Sequence, residues 1–162
     1  MKQIFAHSIA LSVTSLALAG VMQCLNVNNS QVANAQSTRL RPDLNGLQLR
    51  NPGNGMIFWV DDGRIRHILG PSVYSSLFIP KSLNVIDTVS ITAGSPVTAD
   101  NRLVRCGESN HPLRNRIYFL DQGQKRHILS PTVMNRNSFN WDRVQTIACP
   151  ALASIPDGST IK

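Results

Sequence analysis

The apolar positions of the chain fall into one long run near the start and several short ones after it. Ile4 to Met22 is apolar apart from Ser, Thr and one His, and no later run approaches that length. The later runs are bounded by Asp, Gly and Pro. Ile57 to Val60 is a short run of β-forming residues followed by Asp61-Asp62-Gly63 and then by Arg64 to Leu69; Ile117 to Leu120 leads likewise into Asp121-Gln122-Gly123. Short apolar segments around a tight Asp/Gly turn predict a β-hairpin, with Gly63 or Gly123 supplying the positive-φ residue. Pro71 and Pro131 end the second strand, because proline has no N–H and restricts the residue before it. The residues after each proline, 72–78 and 132–139, suit one or two helical turns. A further strand is expected near 86–90 in one case and 144–149 in the other.

The two hairpins are copies. IFWVDDGRIRHILGPSVY (57–74) and IYFLDQGQKRHILSPTVM (117–134) agree at half of their eighteen positions, and most of the others are conservative. Weaker similarity extends upstream, where Leu47 to Arg50 matches Leu103 to Cys106. Downstream, Ile86 to Val89 matches Val144 to Ile147, and Gly94 to Val97 matches Gly158 to Ile161. The duplication divides the chain into a repeat over 44–101 and a second over 102–162, preceded by a linker at 36–43. Neither repeat has enough apolar surface to fold comfortably alone. The fold expected is mainly β: two tandem hairpin-containing repeats with short helical turns, related by pseudo-twofold symmetry and sharing one core.

The long apolar run belongs to a leader. Met1-Lys2 gives it a positive start, and the polar stretch Asn28 to Gln31 leads to Ala33-Asn34-Ala35, a small-x-small sequence of the kind signal peptidase cuts. Residues 1–35 therefore read as a secretory signal, with Gln36 opening the mature chain. The alternative is an uncleaved anchor, which needs about 20 apolar residues; the polar stretch and Ala-x-Ala favour removal. No transmembrane segment is expected in the mature chain, which is read as secreted, whether periplasmic, cell-surface or extracellular. Cys24 leaves with the leader, so Cys106 and Cys149 remain as an even pair in an oxidising compartment, where a disulfide is expected. Two buried thiols are the alternative. A metal site is not assigned, because neither cysteine has a second cysteine or histidine at close ligand spacing, and no cofactor is expected.

Charge sharpens the picture. The chain carries 16 Lys and Arg against 9 Asp and Glu, and the leader removes only Lys2 from that balance. A basic surface favours phosphate- or carboxylate-bearing partners, and arginine, which predominates here, pairs with them bidentately. The candidate anion-binding residues are Arg114, Arg116, Lys125, Arg126, Arg136 and Arg143, with His111 to Arg116 (HPLRNR) as the best candidate for an exposed basic loop. The partners that fit a secreted chain are an anionic envelope polymer or polysaccharide, or a surface protein. Nucleic acid is demoted by the leader.

His67 and His127 occupy equivalent positions, and histidine can act near neutral pH as acid, base or metal ligand. Catalysis also needs an orienting carboxylate or a nucleophile within reach. Asp61 and Asp121 are already explained by the turns, and Ser72 and Thr132 by a helix start. No catalytic residue is assigned. Adjacent strand residues face opposite ways, so Phe58 with Trp59, and Tyr118 with Phe119, cannot both enter one core face. One ring of each pair is expected to fill the interface between repeats, in preference to lying outside as a sugar-stacking surface.

The second repeat resembles a tandem unit of exported and cell-surface bacterial proteins. The resemblance rests on Ile117 to Asp121, Gly123, Lys125-Arg126, Ile128, Ser130-Pro131, Phe139, Trp141 to Val144 and Ile155 to Gly158. It covers most of 44–162, although the first repeat departs after Phe78, has Asn84-Val85 where the Trp stretch would be, and lacks the Ile-Pro-x-Gly ending. It implies an extracellular accessory or wall-associated module and carries no reaction. The function expected is a secreted, non-catalytic binding module that recognises an anionic polymer through a basic face of the second repeat. A structural or protein-interaction subunit of a surface assembly is the alternative, and a small hydrolase using the paired histidines is the third reading.

Overall fold

The protein is described from a computed structural model over residues 37–162; the expected leader and its cleavage point lie outside the described residues. Each repeat forms a four-stranded sheet. In the first, β1 (Gln48–Arg50) pairs antiparallel with β2 (Ile57–Asp61) and parallel with β4 (Asn84–Val85), while β2 forms a hairpin with β3 (Arg64–His67). The second repeat follows the same scheme with β5 (Arg102–Cys106), β6 (Ile117–Asp121), β7 (Gln124–Ile128) and β8 (Gln145–Ile147). The sheet orders are β3-β2-β1-β4 and β7-β6-β5-β8. The fold is thus mainly β, with short helices α1 (Pro71–Leu77), α2 (Pro131–Arg136) and α3 (Cys149–Ser154). No helix among the described residues is long and apolar enough to cross a membrane.

The hairpin turns form for a local reason. Asp62 and Gly63 have φ of 49° and 73°, and Gln122 and Gly123 have φ of 49° and 75°. Two successive positive φ values match the right-handed twist of the flanking strands. Pro71 and Pro131 start their helices, where a missing N–H costs nothing. The cap of α2 is the residue before the proline: Ser130 accepts a hydrogen bond from the Val133 N–H at 3.2 Å. Thr132, expected as a cap or first-turn residue, is the second residue of the helix and lies in its first turn. Gly70 begins α1 without a side-chain cap.

Two expectations shift, and one element is new. The late strand of the first repeat is Asn84–Val85, ahead of the segment expected near 86–90, because it pairs with β1 at Leu49 and Arg50. Helix α3 has no sequence-level expectation at all. Part of the expected linker is docked on the first repeat: the Arg39 N–H donates to Ser90 O, and the Arg41 N–H donates to Gly63 O at 2.8 Å.

The principal core is shared by the repeats. Trp59, Ile68, Val73, Leu77, Phe78 and Val97 come from the first, and Leu103, Phe119, Ile128, Met134, Phe139 and Ile161 from the second. Trp59, Phe78, Phe119 and Phe139 form an aromatic group with centroids 5.3–6.0 Å apart across its contacts, within the range of favourable ring pairs. The Trp59 indole N–H donates to Asn137 Oδ1 at 2.9 Å, so its one polar atom is satisfied. Backbone bonds from Ile79 N to Ser138 O and from Asn140 N to Leu77 O join the repeats beside Phe78 and Phe139. The other ring of each strand pair packs on the opposite sheet face, Phe58 against the cluster around Leu49 and Val60, and Tyr118 within that around Val104 and Leu152.

At one end of this core, four charged side chains are buried together. Arg66 reaches across to Asp121 with two bonds, Nη1 to Oδ2 at 2.7 Å and Nη2 to Oδ1 at 2.8 Å. Arg126 returns the contact to Asp61, with Nη1 to Oδ2 at 2.5 Å and Nη2 to Oδ1 at 3.0 Å. Each arginine also bonds the aspartate of its own hairpin, at 3.1 and 3.2 Å. Their Nε atoms donate to Ser95 O and Ser159 O, and Asn101 donates to Asp121. The Arg66 guanidinium further lies over the Trp59 ring at 5.4 Å, a favourable cation–π arrangement. Gly158 permits the close approach over Arg126: a Cβ there would meet Gln124 Oε1 at 2.9 Å and Arg126 Cγ at 3.0 Å.

Burial pushes the Asp121 carboxyl up, but the hydrogen bond and charge of Arg66, with Asn101 and Arg126, outweigh it and hold the group below the usual carboxylate range. Its contribution to stability is complete above the ordinary value of about 3.9 and is lost as pH falls through the lower folded value. Urea unfolding from about pH 5 to about pH 2 should show stability declining across that window, less steeply in Asp121→Asn. At neutral pH the same variant, which leaves Arg66 buried without its bidentate partner, should lose about 3–5 kcal/mol.

Candidate functional site

The six basic residues singled out by sequence do not form one face. Lys125 and Arg126 are buried and occupied. Lys125 bonds Asp157 at 3.1 Å and donates to the Ile155 carbonyl, while Arg126 belongs to the four-charge group. Both leave the anion-binding set, because a guanidinium or ammonium already paired in the interior does not meet a ligand. Arg114, Arg116, Arg136 and Arg143 are exposed. Arg136, in the last turn of α2, lies against Gly46 of the first repeat, and Arg143 ends the short 3₁₀ turn Trp141–Arg143.

Arg114 alone of these lines a clear cleft. The cleft, about 390 Å³, lies between β5 and the loop after it and is lined by Arg105, Arg114, Asn115, Trp141 and Thr146. Arg105 projects from β5, and its Nε donates to Thr146 Oγ1 on the neighbouring β8 at 3.1 Å, which fixes the guanidinium direction. Arg114 Nη1 donates to Ser109 O at 2.9 Å, and backbone bonds from Arg114 N to His111 O and from Arg116 N to Leu113 O curl the HPLRNR loop. Leu113 anchors that loop by packing on the cluster of Val104, Tyr118 and Leu152. Trp141 is exposed, and its indole N–H donates to Asn135 Oδ1 at 2.9 Å, leaving the ring held in place. Asn140 caps the 3₁₀ turn through a bond from Asp142 N at 3.0 Å.

Two arginines and one oriented indole therefore share a cleft. Such a set can pair anionic oxygens with guanidinium forks while the ring offers an apolar face. Sequence reasoning found Arg114 and missed Arg105. The available signal was the Arg-Leu-Val-Arg-Cys spacing, which sets Arg102 and Arg105 apart from the buried pair between them.

Cys106 and Cys149 stand at disulfide distance, with Cα atoms 4.8 Å apart. They tie β5 to α3 beneath the cleft. The fold also brings His111 to them, with ligand atoms of the three residues all within 4.8 Å of one another. No histidine is expected near either cysteine, but the loop folds His111 back to them. A disulfide leaves those sulfurs without the thiolate character a metal requires.

The two equivalent histidines are not brought together. His67 packs on Phe58 and His127 on Tyr118, each with ring centroids 5.3 Å apart, and the two line separate clefts. Burial and then the nearby Arg116 charge hold the His127 imidazole below its usual range.

Comparison with protein-family models, curated proteins and solved structures finds no match for the chain.

Joint replacement of Cys106 and Cys149 by Ser removes a link across 43 residues and should lower stability by about 4 kcal/mol in the chain-entropy account, read from denaturant midpoints. NMR titration should place His127 below the ordinary value of about 6.5, and Arg116→Ala should raise it. Because the folded value is depressed, stability linked to His127 is complete above about 6.5 and falls as pH drops towards the folded value.

Proposed function

We propose that the protein is a secreted, non-catalytic binding module that holds an anionic polysaccharide in the cleft of its second repeat. The observation that carries this reading is the convergence of Arg105, Arg114 and the exposed Trp141 on one opening of about 390 Å³. A polysaccharide that bears carboxylates matches it feature by feature. Guanidinium groups bond the carboxylates bidentately, the indole covers the apolar face of a sugar ring, and Asn115 and Thr146 supply polar contacts. The excess of Lys and Arg over Asp and Glu, which loss of the leader lowers only by Lys2, draws such a polymer in from a distance. Arg116, Arg136 and Arg143 extend the positive field without lining the cleft.

A second reading has an observation of its own. Strand β4 is a sheet edge, and Val85 on it is exposed, as is Val89 nearby. An exposed apolar edge suits a protein partner in a surface assembly. Capture of one defined protein, lost in Val85→Lys and Val89→Lys together, would favour that reading.

The polymer reading is tested by retention of nuclease-treated protein on immobilised polygalacturonate, with dextran as the neutral control, across a salt series. Retention on the acidic polymer alone, weakening as salt screens the charges, is the expected result. Arg105→Ala and Arg114→Ala should each weaken binding about tenfold or more, and Trp141→Ala should weaken it at every salt concentration. Equal retention on dextran, or variants that bind as the parent does, would overturn it.

A further inference from the structure

The first repeat holds an apolar cleft of about 530 Å³, bounded by Met56, Ile57, His67, Ile68, Pro71 and Tyr74. Its volume lies within the range of small-molecule sites. The residues sixty positions on line a counterpart in the second repeat, where Ile117, His127, Ile128, Pro131 and Met134 take the corresponding places. That counterpart measures only about 190 Å³, and it has walls the first cleft lacks: the indole of Trp141 and Leu129, with Asn115 and Ser130 where the first cleft has Gly55 and Gly70.

The difference follows from the chain. Asn84 and Gln145 pair with equivalent strand positions, Leu49 and Val104, so four residues earlier Trp141 corresponds to Pro80, and the Asn84-Val85 segment that the sequence set against the Trp stretch lies opposite Gln145-Thr146 instead. Pro80 is exposed and does not line the first cleft. The framework is therefore walled by the Trp141 indole in the second repeat and has no counterpart of that ring in the first, where Tyr74 stands at the position of Met134. The rim of the open cleft adds a charge. A side chain at Gly55 would come 3.9 Å from Arg50 Nη2, which sets that guanidinium beside the opening. None of the lining side chains is acidic.

We infer that the cleft of the first repeat is a second binding site, for a planar aromatic group of about indole size that carries a carboxylate. The ring takes the place that Trp141 fills in the second repeat, against Ile57, Ile68 and Tyr74. Its carboxylate meets Arg50, and the half-buried His67 borders the ring. The site shares no residue with the polysaccharide cleft, so either can fail without the other.

Indole-3-acetate is the probe. Calorimetric titration of the protein should show saturable binding at one site, with amide shifts at Gly55 and Gly70 locating it in the first repeat. Arg50→Ala should weaken binding of this acid about tenfold while leaving that of neutral indole unchanged. Met56→Trp, at a partly exposed position on the cleft wall, should abolish it. Trp141→Ala should open the counterpart and raise the stoichiometry from one to two. Absence of saturable binding, amide shifts confined to other residues, or full binding by Met56→Trp with a native circular dichroism spectrum would overturn the inference. An unchanged stoichiometry in Trp141→Ala would overturn the equivalence on which it rests.

Discussion

Four charges that cannot be left unpaired organise the described fold. Asp61 and Arg66 come from one hairpin, Asp121 and Arg126 from the other, and each arginine makes its bidentate bond to the aspartate of the opposite repeat. Buried ions are stable only with good geometry and complete hydrogen bonding. Here the Nε donors are taken up by the Ser95 and Ser159 carbonyls, and Arg66 Nη2 also reaches the Pro96 carbonyl. A slip of one repeat against the other would strand charges in the interior, so the exchange fixes the register of the shared core. An apolar contact is less demanding, since apolar side chains of suitable volume can repack.

The same constraint explains why the repeated sequence has the residues it has. The aspartate opens the turn and faces inward, the arginine at the third strand position after the turn faces the same way, and the Gly-Ser pair some thirty residues later crosses above it. Gly94 and Gly158 let backbone pass close to the arginine stems, and the serine after each presents its carbonyl to Nε. Asp-x-Gly, Arg-His-Ile-Leu and Gly-Ser are thus parts of one interaction. The aromatic group of Trp59, Phe78, Phe119 and Phe139 continues it into the apolar interior, with Arg66 over Trp59 as the junction.

The two repeats share a strand scheme and differ in the loop before the hairpin and in the chain after Phe78 and Phe139. The second repeat has Trp141, a longer loop before β6, and the cysteine pair that ties β5 to α3. Together these build a cleft with Arg105 and Arg114 on its walls. The first repeat has none of them, and an apolar cleft is open where the tryptophan would stand.

The sequence by itself determined the hairpins, their turns and the short helices after Pro71 and Pro131. These depend on neighbouring residues: positive φ at Asp62-Gly63 and Gln122-Gly123, and proline at a helix start, are decided within a few positions. It also marked Cys106 and Cys149 as a pair, through their number and expected compartment. What it could not decide was which side of the boundary each charge would take. Lys125 and Arg126 read as surface residues because burial of a cation depends on a partner far along the chain; Asp61 is sixty-five residues from Arg126. The meeting of Arg105 with Trp141, the docking of 39–43 and the return of His111 to the cysteines have the same origin. Each joins segments that local preference does not connect, so only the packed chain brought them together.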